Sequence, residues 1–100
     1  MAKAILKTEE EAGEVSLLAQ GELKVQHASD LKNFFLQSVN RTGNEKLVLN
    51  DATAFDVASA QLTYLWKKSL EQQGRQVNIY LPKDEGLQDL LEKTGITKFL

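Results

Sequence analysis

The sequence predicts a single α/β domain over residues 1–100, with a mixed sheet of four to five strands packed with helices. Three observations lead there. Short apolar runs bounded by turn residues mark strands near both ends of the chain, whereas Leu31, Phe34, Phe35 and Val39 recur at helical spacing. From residue 27 onward helical and strand segments alternate, and strand-helix-strand units require right-handed crossovers and parallel pairing. The two opening strands have only a short turn between them, so they should pair antiparallel.

In chain order, Ala4 to Leu6 and Val15 to Ala19 are strands separated by an acidic turn containing Glu9, Glu10, Glu11 and Gly13. Lys3 and Lys7 flank the first, which suits an edge strand because charge discourages unwanted pairing. Gly21 permits a turn or bulge, and Leu23 and Val25, alternating with Glu22 and Lys24, supply a third short strand. His27 or Ser29 opens the first helix, with Asp30 near the positive end of its dipole, and Gly43 turns the chain after it. Lys46 to Asn50 holds three consecutive apolar residues, the mark of a central strand covered on both faces. A polar loop, Asn50 to Asp56, leads into a second helix from Asp56 to about Gln73, where Gly74 supplies a left-handed cap. The expected core stripe of that helix is Ala58, Leu62, Leu65 and Trp66. Val77, Ile79 and Leu81 form the next strand, which Pro82 terminates. Asp84 caps a third helix carrying Leu87, Leu90 and Leu91, and Gly95 closes it before Ile96 and Phe99 return to the core.

Composition limits what such a domain can do. Hydrophobic residues make up 42% and charged residues 26% of the chain, values typical of a folded domain rather than a disordered one. A chain this short buries roughly two-thirds of its unfolded surface, which leaves little room for a deep active-site cavity. The net charge is -2 and the lysines are interleaved with acids, so the clustered basic face of a nucleic-acid binder is missing. The lack of cysteine excludes disulfides, thiolate nucleophiles and cysteine-based metal sites. The glycines form neither GxGxxG nor GxxxxGK[ST], so a nucleotide phosphate would lack its usual cradle. The opening MAKAILKTEEEAGE has no signal-peptide pattern, and no run of about eighteen apolar residues occurs. The expectation is a cytoplasmic protein without membrane insertion.

Polar groups concentrate in one place, where Asn50, Asp51, Thr53, Asp56 and Ser59 crowd the turn between a buried strand and a helix. Asp56 reads first as a helix N-cap, worth about 1 kcal/mol. Asp51 lacks the further ligands a cation would need and reads as a solvated loop residue. Ser59 reads as a tolerated helix residue. Paired carboxylates perform acid-base chemistry only when their environments separate their pKa values and a cleft holds substrate. His27, the only histidine, has no serine or cysteine partner in a triad-like arrangement. No catalytic residue, metal or cofactor is therefore expected. Trp66 is expected to complete the core, although an exposed aromatic beside this turn would be a natural interface hot spot.

Four pieces, covering nearly the whole chain, share a pattern: Gly21-Glu22-Leu23 with the helix at Ala28 to Leu31; Leu47-Val48-Leu49-Asn50; Phe55-Asp56-Val57-Ala58-Ser59-Ala60-Gln61-Leu62; and Leu90-Leu91-Glu92-Lys93-Thr94-Gly95-Ile96. Together they resemble the STAS domain family, typified by bacterial anti-sigma-factor antagonists. In order they are similar to the family's Gly-Glu-Leu turn and first helix, its central strand, its Asp-Ser-Ser-Gly-Leu type of signature and its closing helix. Val48 stands where the family's central strand usually has Asp.

The resemblance implies a non-enzymatic regulatory module that binds an anti-sigma factor, a related serine kinase or a signalling complex such as one for chemotaxis. Binding would use Asn50, Asp51, Thr53, Asp56, Val57 and Ser59 and the adjoining face of the second helix. In the family a Ser or Thr after the signature Asp is the phosphoacceptor. Val57 occupies that position here and has no hydroxyl, so the usual phosphorylation is not expected, and Thr53 and Ser59 are the hydroxyls left nearby. A second implied role is a STAS subunit of a membrane lipid-transport complex, although such subunits normally keep a Thr in the signature. The competing class is a small-ligand-binding domain or an enzyme using Asp51 and Asp56.

Overall fold

The computed structural model describes residues 4–100 apart from the Phe99 side chain, so Lys3 and the Phe99 contribution to the core lie outside the described residues. In order the chain forms β1 (Ala4–Glu11), β2 (Glu14–Leu23), a 3₁₀ turn (Val25–His27), α1 (Ala28–Val39), β3 (Glu45–Val48) and β4 (Ala52–Phe55). It continues with α2 (Val57–Gln72), β5 (Val77–Tyr80), α3 (Glu85–Lys93) and a second 3₁₀ turn (Ile96–Phe99).

The ten-residue β2 organises the sheet. Along one edge it pairs antiparallel with β1; along the other it pairs parallel with β3 at Val15 to Leu18 and with β4 at Gly21 to Leu23. β3 in turn pairs parallel with β5, which gives a mixed five-stranded sheet ordered β1-β2-β3-β5, with β4 beside the far half of β2. The hairpin between β1 and β2 turns on Ala12 and Gly13, whose φ values of 54° and 82° are both positive, as the twist of a two-residue hairpin requires. The turn is therefore shorter than expected. Glu9, Glu10 and Glu11 belong to β1, exposed on the edge strand and paired with Ser16, Val15 and Glu14.

One face of the sheet is covered by helices. Val15, Leu17 and Ala19 of β2 and Leu47 of β3 join Leu31, Phe34 and Phe35 of α1, Ala60, Trp66 and Leu70 of α2, and Leu87 and Leu91 of α3 in a single core. The alternate residues Ser16, Leu18, Gln20, Lys46 and Val48 are only half-buried. This corrects the expectation that β3 is covered on both faces, because Leu47 and Leu49 are buried while Val48 points to the other side.

Other expectations are corrected in detail. Leu23 and Val25 do not make a third strand: Gly21, at φ 81°, carries a bulge that lets β2 run on to Leu23, and Val25 starts the 3₁₀ turn. The polar loop contains β4. α2 starts and stops as expected, capped by Asp56 and followed by Gly74 at φ 78°, but it is rotated about its axis. Its buried residues are Ser59, Ala60, Thr63, Trp66 and Leu70, whereas Leu65 is 60% exposed and Ala58 and Leu62 are half-buried. Leu81 and Leu90 are exposed rather than in the core, and Pro82 is buried.

A buried polar network closes one end of the domain. Glu45, whose side chain is fully buried, accepts hydrogen bonds at Oε1 from the Ser38 hydroxyl (2.7 Å) and Arg41 (2.8 Å), and at Oε2 from Arg75. Arg75 also donates to the carbonyls of Ser38 (3.1 Å) and Gly43 (2.6 Å). Trp66 Nε1 donates to the Ser38 hydroxyl at 2.8 Å. The network thereby joins the end of α1, the start of β3, the middle of α2 and the connection into β5.

Candidate functional site

The turn that leads to α2 is held on both sides by main-chain bonds. Gly21 N–H donates to the Asp51 carbonyl (3.1 Å), Lys83 N–H to the Asn50 carbonyl (3.1 Å) and Ala52 N–H to the Leu49 carbonyl (3.0 Å). Asn50 is half-buried, Asp51 and Thr53 are exposed, and Ala52 and Phe55 enter the core. The segment is a fixed platform between β2 and the end of β5.

Asp56 is the hinge of this platform. Its Oδ1 accepts the Ser59 N–H (2.9 Å), the bond that caps α2, and its Oδ2 accepts the Val25 N–H (2.8 Å) from the start of the 3₁₀ turn. Burial alone would push its pKa up, but the Ser59 and Val25 N–H groups favour the carboxylate more strongly and hold it below the ordinary 3.8. With both oxygens committed and the charged form preferred, Asp56 is poorly suited to acid-base work.

Ser59 is not presented to a partner. It is 1% exposed, and its hydroxyl donates to the Leu23 carbonyl at 2.6 Å. This corrects its place among the expected binding residues and removes it as an accessible phosphoacceptor, since a kinase would have to open the packing between α2 and β2. Val57, immediately after the cap, is 58% exposed. Trp66 is 3% exposed and belongs to the core, stacked on Phe35 with ring centroids 5.0 Å apart.

The rotation of α2 brings out a surface that the sequence reading missed. Val57, Gln61, Tyr64 and Leu65 lie at i, i+4, i+7 and i+8 and face outward, opposite Thr94 and Ile96 across a groove of about 450 Å³. Lys68 Nζ lies 5.6 Å from the centre of the Tyr64 ring. The sequence did contain the signal, a second apolar stripe beginning at Val57, but it competed with the stripe through Leu62. Val25, bonded through its N–H to Asp56, adds a further exposed apolar side chain beside the helix start.

Fold and site together define a small α/β domain with a mixed sheet and an exposed apolar surface where α2 begins. No model of a known protein family matches the sequence, and no curated protein matches it either. Among the described residues, no group of three or more His, Cys, Asp or Glu side chains is placed to hold a metal ion, and no helix is long and apolar enough to cross a membrane.

Proposed function

We propose that this chain is a non-enzymatic, cytoplasmic STAS-type module that regulates a protein partner by binding it through Asp51, Thr53, Val57 and the outward face of α2. The observation that carries the reading is the exposure of Val57: an apolar side chain, 58% exposed, follows the capping Asp56 on a rigid turn. The element order, two antiparallel strands followed by α1, the parallel strands β3 and β4, α2, the parallel strand β5 and α3, supports the STAS-like reading. Phosphorylation would place nearly two negative charges at a helix start and so change its fit to a partner. Val57 has no hydroxyl to accept that group, so the domain is constitutively competent to bind.

The partner is an anti-sigma factor, a related serine kinase or a signalling complex, and the same surface would serve a subunit of a lipid-transport complex. The carboxylate pair offers little to an enzyme, since Asp56 is locked by two N–H donors and Asp51 is exposed. The test is capture from native extract by the wild-type chain and by Val57→Asp. One stoichiometric partner, recovered with the wild type and lost with the folded variant, is the expected outcome. Equal recovery by both would refute the assignment of the surface. Mass spectrometry after incubation with a captured kinase checks the constitutive version, which stoichiometric phosphate on Thr53 would overturn.

A further inference from the structure

We infer that the groove between α1 and α2 receives an amphipathic helix of a protein partner whose polar flanks are acidic. This inference rests on the protein-binding reading above and specifies the partner's chemistry. Lys32, Leu36 and Val39 on α1 face Leu62, Leu65 and Ser69 on α2, so each wall is one face of a helix. Leu36 and Leu65, 49% and 60% exposed, stand as ridges on the two sides.

The size of the groove favours side chains over a whole small molecule. Its volume of about 190 Å³ lies below the usual range for ligand pockets, roughly 300–1,000 Å³. A third helix laid along it would place residues at i, i+3, i+4 and i+7 between the ridges. The floor is already rigid, because Phe35 stacks on Trp66 and the Trp66 indole is held by Ser38. Little ordering of this chain is then needed on binding.

Charge selects the occupant. Lys32 is the charged residue lining the groove; Lys68 lies over the Tyr64 ring on the other side of the Leu65 ridge. The acids of the two helices, Asp30 and Glu71, each lie two residues from a groove residue, Lys32 and Ser69. At about 100° per residue, both turn roughly 160° away from the groove. A helix with Glu or Asp beside its apolar stripe therefore meets Lys32 and no acid of α1 or α2. An anionic bilayer would also meet Lys32, but it is flat and would leave a concave groove unfilled.

The experiment is a ¹⁵N NMR titration of the whole chain with two short synthetic helical peptides that share one leucine stripe, flanked by Glu in one and by Lys in the other. Vesicles of phosphatidylcholine with phosphatidylglycerol form a third arm. The glutamate peptide should shift the amides of Lys32, Leu36, Leu65 and Ser69 and bind about fivefold more tightly than the lysine peptide, a preference that high salt removes. Lys32→Glu should reverse the preference, and Leu65→Asp should weaken binding about tenfold or more with the spectrum otherwise folded. Equal binding of both peptides, shifts confined to the open sheet face, or vesicle binding without a peptide response would each overturn the inference. If the groove stays silent while Val57→Asp still abolishes capture of a partner, only the groove assignment falls. If capture also fails to depend on Val57, the module reading falls with it.

Discussion

Replacing Glu45 by Gln should remove a large share of this domain's stability. The Glu45 side chain is fully buried and that of Arg75 is 6% exposed, so the pair is shielded from water. The amide preserves shape but deletes the charge, and it turns one acceptor into a donor facing Arg75 or the Ser38 and Arg41 donors. Arg75 is then left buried, with only the neutral acceptors of Ser38, Gly43 and Gln73. Breaking a buried pair by removing one partner costs about 3–5 kcal/mol. A domain of this length holds about 5–15 kcal/mol in all. Each kcal/mol moves Tm by about 4–8 °C at this size, so a fall of at least about 12 °C is expected. Urea unfolding followed by circular dichroism and Trp66 fluorescence measures the loss, with an unchanged slope showing that the unfolded state is the same. Glu45→Gln combined with Arg75→Gln should cost less than the sum of the two, by about 1–3 kcal/mol. A single variant within about 1 kcal/mol of wild type, or strict additivity, would show that the network does not depend on its charge pair.

Asp56→Ala should lose about 1 kcal/mol or somewhat more, since the cap and the Val25 bond go together, whereas Asp56→Asn keeps a capping oxygen and should lose less; chemical denaturation ranks the three. Because the folded pKa of Asp56 lies below 3.8, its contribution is complete above that value and drains away as pH falls through the folded pKa. The urea midpoint of the wild type should therefore approach that of Asp56→Asn only in acid, and a gap that widens there would reverse the sign. Ser59→Ala removes one of two donors to the Leu23 carbonyl, which keeps the Asp56 N–H (3.2 Å), and should cost about 0.5–1.5 kcal/mol by urea titration. Leu65→Asp should change stability by no more than about 0.5 kcal/mol because the side chain is 60% exposed, and a large loss of Tm would place Leu65 in the core after all.

Elements with their own punctuation were legible in the sequence. Asp56 and Gly74 bracket α2, and Asp84 and Gly95 bracket α3, each through a local bond or a left-handed residue that the sequence announces. β4 was not legible because nothing local makes Ala52–Phe55 a strand. Its pairing exists because β2 is ten residues long while β3 covers only Val15 to Leu18, which leaves Gly21 to Leu23 for β4. The Glu45 network was hidden for a related reason. Glu45 and Arg75 are 30 residues apart, and a charged residue at the start of a strand reads as exposed until the connection after α2 is folded onto it.

The rotation of α2 shows why its exposed apolar surface also escaped an apolar count. A helix on this sheet must bury one stripe, and the stripe it buries, Ser59, Ala60, Thr63, Trp66 and Leu70, carries two hydroxyls where the one through Ala58, Leu62 and Leu65 carries none. Hydroxyls are nevertheless inexpensive to bury when satisfied, and here Ser59 donates to the Leu23 carbonyl at 2.6 Å and Thr63 to the Ser59 carbonyl at 2.8 Å. The Asp56 carboxylate, fastened to both Val25 and Ser59, fixes the angle at which the helix leaves β4. That lock selects the hydroxyl-bearing stripe and turns Val57 and Leu65 outward. The exposed apolar face thus goes with the orientation that the cap holds, and covering it would remove further apolar surface from water.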